Sequence, residues 1–230
     1  MKNIIKLTAF SFLIITQIAC TKNAEKTADT SEQESAVEET IVEKIAQPAG
    51  YAIGDTAADF SLENVDGSMV SLANYTDSKG FIVTFTCNHC PYAVAYESRI
   101  IALDKKYAPL GYPVIAISPN DPSIVPEDGM DAMKKLAEEK GYTFPYLLDA
   151  EQDVYVKYGA TKTPHMFVLQ KENDALIVKY IGAIDDNYED ENDVTERYVE
   201  DAIDALLSGT KIAVESTKAI GCSIKDNRFK

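Results

Sequence analysis

Two cysteines spaced as C-x-x-C, Cys87 and Cys90, enclose Asn88 and His89. Such a pair closes a small ring, so its disulfide forms and opens easily. An apolar run from Phe81 to Thr86 precedes it and a helical pattern from Pro91 follows, which places the pair at a helix N-terminus. Free amide N–H groups and the positive end of the helix dipole favour thiolate over thiol there. The thiolate is the species that attacks a disulfide. This reading makes Cys87, the outer residue, the nucleophile. Cys90, one turn into the helix, is the resolving thiol, and His89 is a neighbouring cation that depresses the Cys87 pKa further. Half of a zinc site would need a second C-x-x-C or a histidine pair at ligand spacing, and the chain has neither.

The elements that must hold these sulfurs are legible from periodicity. The β-branched run 81–86 suits a central buried strand. Asp59 to Val65 reads as a strand, Asp66-Gly67 as a hairpin turn, and Met69 to Leu72 as the returning strand. Pro91 to Tyr107 has helical spacing, with Ala95, Ile100, Ile101 and Leu103 expected inside and Glu97, Arg99, Asp104 and Lys105 outside. Further strands are expected over 113–118, 146–148, 165–169 and 175–181, the last two joined by the polar turn 171–174. Helices are expected over 129–140, ended by Gly141, over 153–158 and over 194–207. Strands alternating with helices and ending in an antiparallel pair imply an α/β fold, a mixed sheet flanked by helices. Asp185 to Asp193 holds six acids in nine residues; Asp190 stands where a calcium loop needs glycine, so a solvated loop is expected.

A chain of 230 residues that is 46% hydrophobic can bury a sizeable core. Its net charge of −15, with no basic run, excludes a nucleic-acid partner. Four cysteines, at 20, 87, 90 and 222, are too few for a disulfide scaffold. At the N-terminus, Lys2 and Lys6 precede an apolar stretch over 7–15 that is too short to span a bilayer. Ala19-Cys20 then resembles the lipobox of bacterial lipoproteins, although Gln17 stands where leucine is usual. Residues 1–19 are read as a signal peptide and Cys20 as the lipidated residue. Residues 20–50 are read as a flexible acidic tether with a reach of roughly 30 Å. The catalytic domain is expected over 51–210 and a C-terminal extension over 211–230.

The run Phe81-Ile-Val-Thr-Phe-Thr-Cys-Asn-His-Cys-Pro91, together with Thr163-Pro164-His165 opening a strand, resembles the thioredoxin-like superfamily, in particular its redoxin or peroxiredoxin-like members. The likeness extends from about Gly54 to Lys225. It implies a thioredoxin-like fold and a cis peptide at Thr163-Pro164 placed against the C-x-x-C. It also implies an extended substrate chain pairing with the backbone before that proline, so that Thr163, Pro164 and His165 bind substrate.

The chain departs from the pattern in two places. The buried aspartate that thioredoxins carry six residues before the first cysteine is Phe81 here. The peroxiredoxin motif P-x-x-x-[ST]-x-x-C is met at Thr84, but Gly80 replaces the proline, so peroxidase chemistry is a weak alternative.

Both histidines fall beside the expected site, so two cysteines and up to two histidines could hold Cu(I) or Zn(II), the rival reading of a metallochaperone. The favoured expectation is an envelope thiol–disulfide oxidoreductase that needs no cofactor. It would act on protein or small-molecule thiols and disulfides, be reset by a redox partner, and be held at the membrane through a lipid anchor facing the periplasm. Cys222 is left over as inert, intermolecular or an extra redox thiol.

Overall fold

The computed structural model describes residues 50–228; the signal segment, Cys20 and the tether up to residue 49 lie outside the described residues. Ten strands are present among the described residues: β1 Thr56–Ala57, β2 Ser61–Asn64, β3 Met69–Ser71, β4 Gly80–Phe85, β5 Val114–Ser118, β6 Tyr146–Leu148, β7 Lys162–Thr163, β8 His165–Glu172, β9 Ala175–Gly182 and β10 Cys222–Ser223. The helices are α1 Pro91–Tyr107, α2 Met130–Lys140, α3 Asp153–Tyr158 and α4 Tyr198–Ser208. One eight-stranded sheet runs in the order β1-β9-β8-β4-β5-β6-β2-β3. Its β4-β5 and β5-β6 pairs are parallel, and β4-β8 and β8-β9 are antiparallel. The β2–β3 hairpin turns at Gly67, whose φ of 83° suits glycine, and extends the sheet by pairing with β6. A second, two-stranded ladder joins β10 to β7.

The central strands are apolar throughout because both faces are covered. Ile82, Val114, Ala116, Met166 and Val168 point to the side packed by α1, α2 and α4, against Tyr96, Ile100, Leu103, Met133, Val199 and Ile203. Phe81, Val83, Phe85, Ile115, Ile117 and Phe167 point to the other, against Tyr155 and Tyr158 of α3. The alternation along β4 is the two-residue period of a strand.

Two expectations about α1 and the loop after β9 need correction. The inner face of α1 is Ala93, Tyr96, Ile100, Leu103 and Tyr107, whereas Ala95 is exposed and Ile101 half-buried. Glu97, Arg99 and Asp104, expected outside, are buried. Each has a partner that offsets its desolvation. Arg99 Nη1 donates to Asp185 Oδ2 at 2.7 Å, and Tyr96 Oη donates to Asp185 Oδ1 at 2.8 Å. Asp104 accepts from Val114 N at 3.0 Å and Thr143 Oγ1 at 2.7 Å, tying α1 to β5. Glu97 meets Lys140 Nζ at 2.6 Å. Asp185 is therefore a buried ion-pair partner rather than part of a solvated loop, although Glu189 and Asp190 beyond it are exposed. Helix α4 begins at Tyr198, later than the expected Val194. The Asp186 carboxylate accepts from Thr195 N at 3.0 Å and Glu196 N at 3.1 Å, and this local capture of backbone competes with helix formation.

Candidate active site

Strand β4 delivers Cys87 past its last rung, at the edge where β4 pairs with β8 as Phe85↔His165. Cys90 is the N-cap of α1 and Pro91 its first residue, where the missing N–H of proline costs nothing. The expectation had placed Cys90 one turn into the helix. At the helix entrance it has the Ala93 amide turned toward it. Both cysteines are free thiols; Cys87 is 3% exposed and Cys90 fully buried, so Cys87 is the outer of the two.

The peptide Thr163-Pro164 is cis and lies against the pair. Cys87 Sγ donates to Thr163 Oγ1 at 3.2 Å, and Cys90 Sγ donates to the Thr163 carbonyl at 3.2 Å. One residue thus touches both sulfurs. The hydrogen bond between the sulfurs, burial and the negative charge of Asp128 push the Cys87 thiol up, against the lowering pull of the Thr163 hydroxyl and the Cys90 amide. Cys90 is held down to about 4 by the Cys87 thiol foremost. The Cys222 thiol and the amides of Ala93 and Cys222, all turned toward it, add to this and outweigh burial. The contacts in the reduced pair thus favour a thiolate at Cys90 more than at Cys87, whereas the dipole argument places it at Cys87.

Asp128 is the functional residue that sequence reasoning missed. Its side chain is fully buried. Its carboxylate accepts from Asn88 N at 2.8 Å, from Asn120 Nδ2 at 2.7 Å and, more weakly, from His89 N at 3.3 Å, and it meets His89 Nδ1 at 2.6 Å. Asn88 is clamped in turn: its Oδ1 accepts from Tyr146 Oη at 2.8 Å and its Nδ2 donates to the Glu127 carbonyl at 2.7 Å. The only signal in the chain was an acid standing just before Gly129 and a helix, which is ordinary for any loop. A buried carboxylate thus lies beside the pair on this loop, while the chain has Phe81 six residues before Cys87.

The donor atoms of Cys87, His89 and Asp128 lie within 4.8 Å of one another. His165 does not join them. It is buried, accepts from Thr161 N at 3.2 Å through Nδ1, and burial lowers its pKa to about 4. His165 therefore stays outside any ligand set at this site, while Cys87 and His89 lie within one. Thr84, the one match to the peroxiredoxin motif, has a buried hydroxyl without a hydrogen-bond partner among the described residues, so it does not serve Cys87. At Gly80 a β-carbon would stand 2.0 Å from the Leu169 carbonyl oxygen, which leaves no room for the missing proline.

The family model described as the AhpC/TSA family matches residues 53–181. The chain belongs to the AhpC/TSA family. A conserved protein from Geobacillus kaustophilus, whose crystal structure is described as that of an uncharacterised protein, is 36% identical. It superposes with a TM-score of 0.71 and covers 76% of this chain and 93% of its own. A hypothetical protein from Sinorhizobium meliloti 1021 is 34% identical, with a TM-score of 0.70 over 76% of this chain and 95% of that one. Among curated relatives, the thiol-disulfide oxidoreductase ResA of Geobacillus thermodenitrificans (strain NG80-2) is 28% identical over 128 residues, which is 54% of this chain and 67% of ResA. The AhpC/TSA membership fixes the fold as thioredoxin-like, and the mixed sheet with helices on both faces is that fold.

Proposed function

We propose that this AhpC/TSA-family enzyme carries out thiol–disulfide exchange through Cys87 and Cys90 on the outer side of a bacterial cytoplasmic membrane. Thiol–disulfide oxidoreduction is the named activity of its ResA relative. The observation that carries the assignment of the pair is the contact of both sulfurs with Thr163, beside the cis proline. In the reducing direction Cys87 gives its proton to solvent and becomes the thiolate. Cys87 Sγ attacks one sulfur of a substrate disulfide, the other leaves as a thiolate, and a mixed disulfide forms. Cys90 then loses its proton, its Sγ attacks Cys87 Sγ, the bond from Cys87 to the substrate sulfur breaks, that sulfur leaves as a thiolate and takes up a proton, and the Cys87–Cys90 disulfide is complete. The reverse sequence transfers that disulfide to substrate thiols. His89 acts on the pair through Asp128, whose charge it offsets. Thr163, Pro164 and His165 form the edge against which substrate lies.

Trapping tests this assignment. Cys90→Ser is expected to accumulate mixed disulfides with substrate through Cys87, and Cys87→Ser to accumulate none through Cys90. Equal trapping by the two variants would overturn the roles. The clustering of Cys87, His89 and Asp128 donors supports a second reading, a bound Cu(I) or Zn(II) ion. It is the weaker one, because His89 and Asp128 already satisfy each other. Metal analysis of the purified, reduced chain decides it: a stoichiometric ion that protects Cys87 from alkylation would replace the redox reading.

The envelope location rests on the N-terminal signal pattern and on the redox setting such a pair needs, since cytosolic thiols are kept reduced. Cys20 is the proposed lipid attachment point, and residues 20–50 the tether.

A further inference from the structure

The C-terminal segment returns to the dithiol. Ser216 bridges Ile181 at the end of β9, and Thr217 Oγ1 accepts from Ala183 N at 2.9 Å. Strand β10 then pairs antiparallel with β7 in the register Cys222↔Thr163 and Ser223↔Lys162. The segment is pinned beyond that point: Lys225 N donates to Asn120 Oδ1 at 2.8 Å, and Asp121 N and Gln152 Nε2 donate to the Lys225 carbonyl at 2.9 and 3.0 Å. Asn120 is the same residue that donates to Asp128. Gly221 lies so close to the cis peptide that a β-carbon on it would stand 2.1 Å from the Thr163 carbonyl oxygen. Cys222 N donates to Cys90 Sγ at 3.4 Å, and its side chain packs on the apolar cluster of Cys87, Cys90 and Ala93.

We propose that Cys222 is a third redox thiol, which takes Cys90 out of the Cys87–Cys90 disulfide into a Cys90–Cys222 disulfide and so fastens the tail across the Thr163 edge. The proposal rests on the Cys87–Cys90 reading, because that disulfide is its starting point. The step is an exchange within one chain. The Cys222 thiol gives its proton to solvent, and its sulfur attacks Cys90 Sγ. The Cys87–Cys90 bond breaks and Cys87 leaves as a thiolate, which the Thr163 hydroxyl is placed to meet. One disulfide is consumed and one formed, so no external oxidant or reductant takes part. In the reduced enzyme, burial and the neighbouring Cys90 push the Cys222 thiol up to about 11. Once Cys90 is in a disulfide its thiol no longer raises Cys222, and Lys225 and Lys162 remain to favour the Cys222 thiolate. The exchange is thus enabled by oxidation of the pair, and it frees Cys87 while the enzyme still stores a disulfide.

The test is disulfide mapping by mass spectrometry on the full chain, equilibrated over a series of reduced-to-oxidised glutathione ratios and alkylated. The wild-type chain is expected to yield both Cys87–Cys90 and Cys90–Cys222 peptides. Cys87→Ser is expected to yield the Cys90–Cys222 peptide, and Gly221→Val to lose that peptide while keeping Cys87–Cys90. The proposal is overturned if Cys90 and Cys222 of Cys87→Ser are recovered alkylated or separately glutathionylated at every ratio. It is also overturned if Gly221→Val forms Cys90–Cys222 as readily as the wild type. Failure of the underlying reading has a different signature: Cys222→Ala would show no Cys87–Cys90 peptide at any ratio.

Discussion

Asp128 converts a histidine inside a C-x-x-C from a direct partner of the sulfur into a partner of a carboxylate. His89 Nδ1 is committed to Asp128 at 2.6 Å, and the charge on Asp128 is one of the causes that raise Cys87. Removing the imidazole uncovers that charge. His89→Ala is therefore expected to raise the apparent thiolate pKa of the pair by about one unit, or about 1.4 kcal/mol. Asp128→Asn is expected to lower it, and His89→Ala added to Asp128→Asn to change it little. Thiolate absorbance in the ultraviolet across a pH series reads all three. A full His89→Ala effect in the Asp128→Asn background would show that the imidazole acts on sulfur directly. The motif residues Cys87, His89, Cys90 and Pro91 were legible because short-range spacing is written in sequence. Asp128 was not, because its role depends on a loop folding back over Asn88 and His89 from a distant part of the chain.

Strand β8 carries a second consequence of burial. His165 opens it, and desolvation alone holds its pKa at about 4, below the ordinary 6.5. The unfolded chain takes up this proton near pH 6.5 while the folded chain resists until near pH 4. The group's contribution to stability is therefore intact above about pH 6.5 and falls as pH falls from there toward 4, by up to roughly 3 kcal/mol. His165→Asn should flatten this part of the profile, read as the urea midpoint at pH 5 against pH 8. An equally steep profile in the variant would assign the loss to carboxylates. The apolar strands β4 and β5 and the amphipathic α2 were legible, because each follows one period of burial. The outer face of α1 was not. Glu97, Arg99 and Asp104 look like solvent residues until their partners Lys140, Asp185 and Thr143 arrive from elsewhere. The two-residue strands β1, β7 and β10 left no period to read, since their pairing comes entirely from tertiary approach.

The described residues include no helix long and apolar enough to cross a membrane. The proposed function attaches the chain to the membrane through Cys20 and the segment before it. Cys20→Ser is expected to leave the domain folded and redox-active while moving it from the membrane to the soluble fraction. Sedimentation with membranes after a carbonate wash would instead make the uncleaved N-terminal segment the anchor. In the proposed function the net charge of −13 on residues 51–230, 17 basic against 30 acidic, opposes adsorption to anionic headgroups and favours a domain held off the surface.

The β7–β10 ladder has a further effect on how tightly this chain holds its clients. In the proposed function an extended client pairs at the Thr163 edge, so tail and client compete for the same rungs, and such a client binds only the fraction of molecules whose tail is lifted. Its apparent dissociation constant is the intrinsic one divided by that fraction. A tail lifted in about one molecule in a hundred weakens every extended client about a hundredfold, close to 3 kcal/mol, whatever its sequence. Small disulfides that reach Cys87 without using the edge escape this factor. The tail thus ranks clients by shape, discriminating against long chains in favour of compact ones, and the ranking tightens or relaxes with the occupancy of two rungs of backbone.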